Sequence, residues 1–168
     1  MSARLSIAVR IAEAAKAILQ KTRSFPGPDF REPKELNEHV GVEPMLLALS
    51  MELALKAWFV FDFDDPNVIK THNLITLFDG LKPESQQKLD AEFRRSVAPH
   101  HPNGFFTDYG IRHILHPHQN AFVDWRYLHE AEKSMMFDQR AFEATLEMVI
   151  RQFETRYRTE PARPHWPS

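Results

Sequence analysis

An all-α fold is what this sequence predicts, an antiparallel up-and-down bundle of four to five core helices with an additional C-terminal helix, and three observations predict it. Apolar residues recur at spacings of three and four through several long segments, the period of one helix face. Glycine is scarce, at five residues, and prolines stand repeatedly at the joints between those segments. No segment needs a strand to explain it. The 168 residues fit one domain, expected over 1–158, with 159–168 as a disordered tail carrying three prolines. Apolar residues at 43% against charged residues at 26% are the balance of a chain that buries its own core.

The first helix is expected over 3–22, where Leu5, Ala8, Ala12, Ala15 and Leu19 form a stripe whose alanines admit a close partner. Residues 24–44 follow as a loop rich in proline and charge, and its length points to a functional or mobile segment. The second helix, about 44–61, opens on Pro44, whose missing backbone donor does no harm in a first turn. It is apolar nearly all round, which marks it as the central helix. Asp65-Pro66 reads as N-cap and first-turn proline of a third helix, which carries Leu74, Leu77, Phe78 and Leu81 and stops near Gly80. Pro83-Glu84 opens a fourth helix, with Leu89, Phe93 and Val97 on one stripe. After a break at 100–104, Thr107 or Asp108 caps a fifth segment through Ile111, Ile114 and Leu115, which Pro117 kinks or ends. The pattern resumes from 118 or 119 to about 135, with Phe122, Trp125 and Leu128 on its apolar face. Asp138 is the N-cap of the last helix, where Phe142, Leu146, Val149, Phe153 and Tyr157 repeat at three and four.

Composition excludes some chemistry. The chain has no cysteine, which removes disulfides, thiolate metal sites and cysteine nucleophiles and fits a reducing compartment. Arg4, Arg10, Glu13 and Lys16 interrupt any signal-peptide core near the start, so a cytoplasmic protein is expected. The most apolar run, 45–63, contains Glu52, Lys56 and Asp62. A centrally placed charge costs roughly 2.5–3.5 kcal/mol on insertion into a bilayer, whereas a large apolar residue gains only about 0.3–0.6 kcal/mol. A buried core helix, and no membrane association, is therefore expected. With a net charge of −2, any contact with nucleic acid has to be made by a local patch.

Several polar residues stand out against this background. Glu52 and Lys56 are four apart in the order that favours an ion pair, either closing a bridge at the edge of the core or lining a polar slot between helices. Arg126 lies between Trp125 and Tyr127 on a helix that must bury one side. It pairs with Glu130 at i+4 or with Glu52 across the bundle, or else directs its guanidinium at phosphate. Six of the nine histidines fall between 100 and 129. No His-Glu-x-x-His arrangement or clear third ligand accompanies them, so no metal is expected. His72 sits at or near the start of the third helix beside Asn73, in a capping or solvent-facing position. Asp62, Asp64 and Asp65 form a small acidic group in which Asp65 caps the next helix and the others face water. Arg94, Arg95, Arg112, His113 and His116 together offer a local positive face.

The run Ser50-Met51-Glu52-Leu53-Ala54-Leu55-Lys56-Ala57, followed by Thr71-His72-Asn73-Leu74 and then Leu77-Phe78, resembles the signature of HEPN helical domains. Residues 121–130, from Ala121 through Trp125-Arg126-Tyr127 to Glu130, look like the aromatic-Arg-Tyr helix of one group of them. The similarity covers about 44–130 in three patches. It implies a helical bundle, often a homodimer, with a polar cleft near the dimer axis. Many members of the family are metal-independent endoribonucleases of toxin–antitoxin or defence systems. Their arginine and a following histidine promote attack of a ribose 2′-OH on the adjacent phosphate, histidine managing protons and arginine holding charge. In this chain the resemblance offers Arg112 with His118, five residues intervening, or Arg126 with His129, three residues on, as the catalytic pair. Neither repeats the family's pattern in full, because Pro117 stands just before His118 and the Arg126–His129 spacing is short. The resemblance equally implies a regulatory dimer that binds RNA, a nucleotide or a partner protein such as a cognate antitoxin. Its ligand site would then be built from Glu52, Lys56, His72 and Tyr127, with Arg126 beside them. No cofactor is implied, and a structural protein-interaction bundle is the third reading.

Overall fold

The structure, a computed structural model, describes residues 3–25, 42–126 and 137–159. Those residues form helices and turns with no strand. The elements are α1 (Ala3–Arg23), α2 (Val42–Phe63), α3 (Leu74–Asp79), α4 (Pro83–Ser96), α5 (Arg112–Leu115), α6 (Ala121–Arg126) and α7 (Gln139–Thr159). Of the tail expected over 159–168, Thr159 belongs to α7 and residues 160–168 lie outside the described residues, as do most of the expected 24–44 loop and residues 127–135 of the helical run expected after Pro117.

The alanine stripe of α1 does what its small side chains permit. Ala8 and Ala15 are fully buried against α2, and Ser50 of α2 donates its hydroxyl to the Ala15 carbonyl at 2.7 Å. α2 touches α1, α3, α6 and α7. Leu47, Met51, Leu55 and Trp58 along it are completely covered. By length and composition α2 is apolar enough to cross a bilayer, and here most of that apolar stretch is enclosed by its neighbours. Trp58 donates its indole N–H to the Val149 carbonyl of α7 at 3.2 Å and meets Phe153 edge to face. One continuous apolar cluster draws residues from α1, α2, α3, α4, α5 and α7.

Lys16 of α1 reaches Glu154 of α7 at 2.6 Å, and further along α1 Arg23 meets Glu143 and Glu147. Between α2 and α7, Glu43 accepts from Gln139, Trp58 faces Val149, and Asp62 binds Arg156. The α7 start is as its sequence predicts, with the Asp138 carboxylate accepting from the Ala141 N–H at 3.2 Å. Phe142, Leu146, Val149 and Phe153 are its buried face.

Three expectations are corrected. The third helix begins at Leu74, not after Asp65. Its N-cap is Asn73, whose side-chain oxygen accepts from Thr76 N at 2.9 Å. Asp65 instead accepts from the Asn67 N–H in a local turn. The run Val68, Ile69, Thr71 explains the delay, since β-branched side chains lose rotamer freedom in a helix. The chain takes tight turns there, with Val68 N bonding Pro66 O and Thr71 N bonding Ile69 O. The fifth segment is one turn from Arg112, without a side-chain cap. Asp108 is instead spent on Arg94 at 2.5 Å. Third, Asp62 does not face water. Its side chain is fully enclosed, binding Arg156 at 2.5 Å, Ser85 Oγ at 2.6 Å and the Lys82 N–H at 2.9 Å. One carboxylate thereby joins α2, the start of α4 and the end of α7.

Candidate functional site

The sequence separates Glu52 and Lys56 from His72 by the end of α2 and a turn, and the fold brings the three together. About three helical turns before α2 ends, Glu52 has a side chain only 4% exposed, and both of its oxygens are used. Oε1 accepts from Lys56 Nζ at 2.5 Å, one turn along the same helix. Oε2 lies 2.8 Å from Nδ1 of His72. A carboxylate can only accept, so Nδ1 carries the hydrogen of this bond. Lys56 is 18% exposed and His72 52%, so polarity rises from a covered anion to an open imidazole.

His72 is held from other sides too. Its ring lies 4.9 Å from that of Phe122 on α6, tilted by 36°. The next residue, Asn73, caps α3 and donates its side-chain amide to Gln119 and Asn120, both at 3.2 Å. Leu74 N donates to the Gln119 carbonyl. The segment before α3 is thus clamped between α2 and the turn leading into α6, and the imidazole is fixed with it.

The remaining candidates are distributed differently. Arg112 is about half exposed, binds Asp79 of α3 and places its guanidinium 5.6 Å over the Phe78 ring. His118 is 7% exposed, packed 4.6 Å from Phe137 and 5.5 Å from Phe142. Burial pushes the His118 imidazole below its ordinary value, against a weaker opposite pull from Asp138. Arg112 therefore points to the α3 surface while His118 belongs to the core. Arg126 ends α6 with an exposed side chain. Its expected pairing with Glu52 does not form, because Lys56 and His72 take both carboxylate oxygens. Tyr127 and His129 lie outside the described residues.

The local positive face expected from the second half is neutralised. Arg94 binds Asp90 and Asp108, Arg95 binds Glu92, and Arg112 binds Asp79. His113 accepts from the Gly110 N–H and packs 4.2 Å from Phe106. Among the described residues no group of three or more histidines and carboxylates converges as metal ligands would. A shallow groove of about 200 Å³ between α1 and α7 is lined by Lys16, Arg23, Glu147, Arg151 and Glu154, among others. Its charges answer one another: hydrogen bonding to Glu154 raises the Lys16 ammonium above its ordinary value, and hydrogen bonding to Arg23 lowers the Glu147 carboxyl.

Sequence reasoning pairs Glu52 with Lys56 but misses the Glu52–His72 bond and the buried Asp62–Arg156 pair. A helical register shows i to i+4 neighbours, while both missed pairs depend on how separate elements dock. Set against protein-family models, curated proteins and solved structures, the chain matches none of them.

Proposed function

We propose that this chain is a HEPN-like helical domain, an antiparallel up-and-down bundle that acts in the cytoplasm as a homodimeric regulatory module and binds RNA. The bundle reading is supported by the order of side-chain pairs. Lys16 meets Glu154 and the later Arg23 meets the earlier Glu143 and Glu147, so α1 and α7 run oppositely. The pairs 43–139, 58–149 and 62–156 rise together, so α2 and α7 run alike.

One observation carries the functional reading: each polar letter of the HEPN-like signature has a definite tie in the fold. Ser50 fastens α2 to α1, Glu52 gathers Lys56 and His72, and Asn73 caps α3 while holding residues 119 and 120. Two of those residues that lie apart in the sequence, Lys56 and His72, meet on the one Glu52 carboxylate. The cluster has a half-exposed imidazole at its outer end, open enough to meet a polymer backbone without a deep cleft.

The experiment is retention of a random-sequence RNA pool by the purified chain on a nitrocellulose filter at low salt, with a DNA pool and ATP as competitors. RNA retention that weakens as salt rises, as phosphate contacts require, supports the reading. Failure to retain RNA at low salt ends it. Competition by ATP alone points to a nucleotide ligand instead.

A further inference from the structure

The loop between α4 and α5 holds the pair Asn103-Gly104, which has a chemistry of its own. A backbone nitrogen that follows asparagine attacks the side-chain amide carbon when nothing prevents it, closing a five-membered succinimide ring. Closure is favoured by a following residue small enough for the ring to form and by a backbone N–H that no acceptor already holds. A donor on the amide oxygen helps further, by drawing charge off the carbon under attack. At Asn103 the fold supplies each of these. Gly104 is exposed, and a Cβ there would meet nothing within 4 Å. Its N–H has no acceptor among the described residues. Phe105 donates its own N–H to Asn103 Oδ1 at 3.1 Å, the atom that carries the negative charge of the tetrahedral intermediate.

Asn67, Asn73 and Asn120 lack this combination. Val68 follows Asn67 with a β-branched side chain, and its N–H is held by the Pro66 carbonyl at 2.9 Å. Leu74 follows Asn73 and donates to the Gln119 carbonyl at 2.9 Å. Ala121 follows Asn120 and donates to the His118 carbonyl at 3.0 Å, while the Asn120 side chain accepts from Asn73. In all three the nitrogen that would attack is engaged, so the hydrogen bonding of the fold singles out Asn103.

We propose that Asn103 is a self-modifying site, which converts to aspartate and isoaspartate without an enzyme. The Gly104 nitrogen gives its proton to solvent base and bonds to Cγ of Asn103. The Cγ–Nδ2 bond breaks, and the amide nitrogen takes a proton from water and leaves as ammonia. Water then opens the ring. Cleavage of the new Cγ–N bond gives aspartate, whereas cleavage of the original peptide bond leaves the main chain running through the side chain, as isoaspartate. The sum is one water consumed and one ammonia released, with nothing oxidised or reduced. Each conversion adds one negative charge to the chain's −2.

The position of the pair decides what the change alters. Phe105 projects from this turn 94% exposed, and Phe106 beside it packs 5.9 Å from Tyr109 and 4.2 Å from His113. Isoaspartate turns the acceptor of the Phe105 N–H into main chain and lengthens the turn by one methylene, so the apex carrying Phe105 shifts while the helices keep their contacts. The product is an isoaspartyl residue on an exposed loop, the kind of substrate that a carboxyl-methylating repair enzyme takes. This chemistry does not depend on the RNA-binding reading.

The test ages the purified full chain at neutral and at mildly alkaline pH, locates each new acid by peptide mass mapping, and detects isoaspartate by enzymatic carboxyl methylation. Conversion at Asn103 should outrun that at Asn67, Asn73 and Asn120 and should quicken with pH, because the attacking nitrogen must lose its proton. Gly104→Ala, whose methyl meets open space, should slow the conversion severalfold with the helical circular dichroism unchanged. Asn103→Gln should remove the methylation signal from this loop. An intact Asn103 after prolonged ageing, or conversion as fast at Asn67, Asn73 or Asn120, overturns the proposal. So does conversion at an undiminished rate in Gly104→Ala, since the ring would then not be the route.

Discussion

His118 shows how position, rather than residue type, decides what a histidine contributes. Enclosed beside Phe137 and Phe142, it resists protonation in the folded state. The unfolded chain, with His118 near its ordinary value of about 6.5, binds the proton that the native state refuses. Its contribution is therefore level above that value and declines as pH falls through 6.5 toward the lower native value. Thermal melts should show a midpoint dropping over that interval, and His118→Gln should flatten the slope. His72, by contrast, stands half open on its carboxylate. The sequence makes the two alike, since each is a histidine close to a helix start, and only the docking of α6 and α7 distinguishes them.

At the scale of elements, two small features set where helices begin and how they join. Asn73 supplies the only side-chain cap that α3 has among its described bonds, so Asn73→Ala should cost about 1 kcal/mol in urea denaturation. Asp65→Ala should cost much less. Asp62 and Arg156 are more deeply placed, with side-chain exposures of 0% and 14%. The guanidinium also lies 5.0 Å over Trp58 and 4.6 Å over Phe61. Removing one partner leaves the other charge enclosed, so Arg156→Ala should destabilise by about 3–5 kcal/mol, measured the same way. Helix periods made α1, α4 and α7 legible, because Ala8, Phe93 and Leu146 repeat with their neighbours at the right spacing, and α2 was legible as a long apolar run opening on Pro44. The start of α3 was not legible, because Asp65 and Asn73 carry equal cap signals and only the β-branched run between them favours the second. The Asp62–Arg156 pair, 94 residues apart, has no local signature at all.

Across the whole molecule, the apolar cluster joins all the longer helices, so their unfolding should be coupled. Far-ultraviolet circular dichroism, which follows helix, and near-ultraviolet circular dichroism, which follows aromatic packing, should give coincident urea transitions. Two separated transitions would mean that α1 or α7 can leave without the rest. The all-α character was readable from scarce glycine and helical spacing. The candidate site was readable as an i to i+4 pair with His72 set beside it by the family-like motif, and only the Glu52–His72 bond itself needed the fold.

Trp58 gives this architecture an optical handle. Its indole is fully covered, donates to a carbonyl of α7 and has the Arg156 cation near its face. With Trp125 and Trp166 replaced by phenylalanine, its emission should be blue-shifted in the native chain and move to the red when α7 departs from α2. A single native residue would thereby report helix separation in stopped flow, without any attached dye.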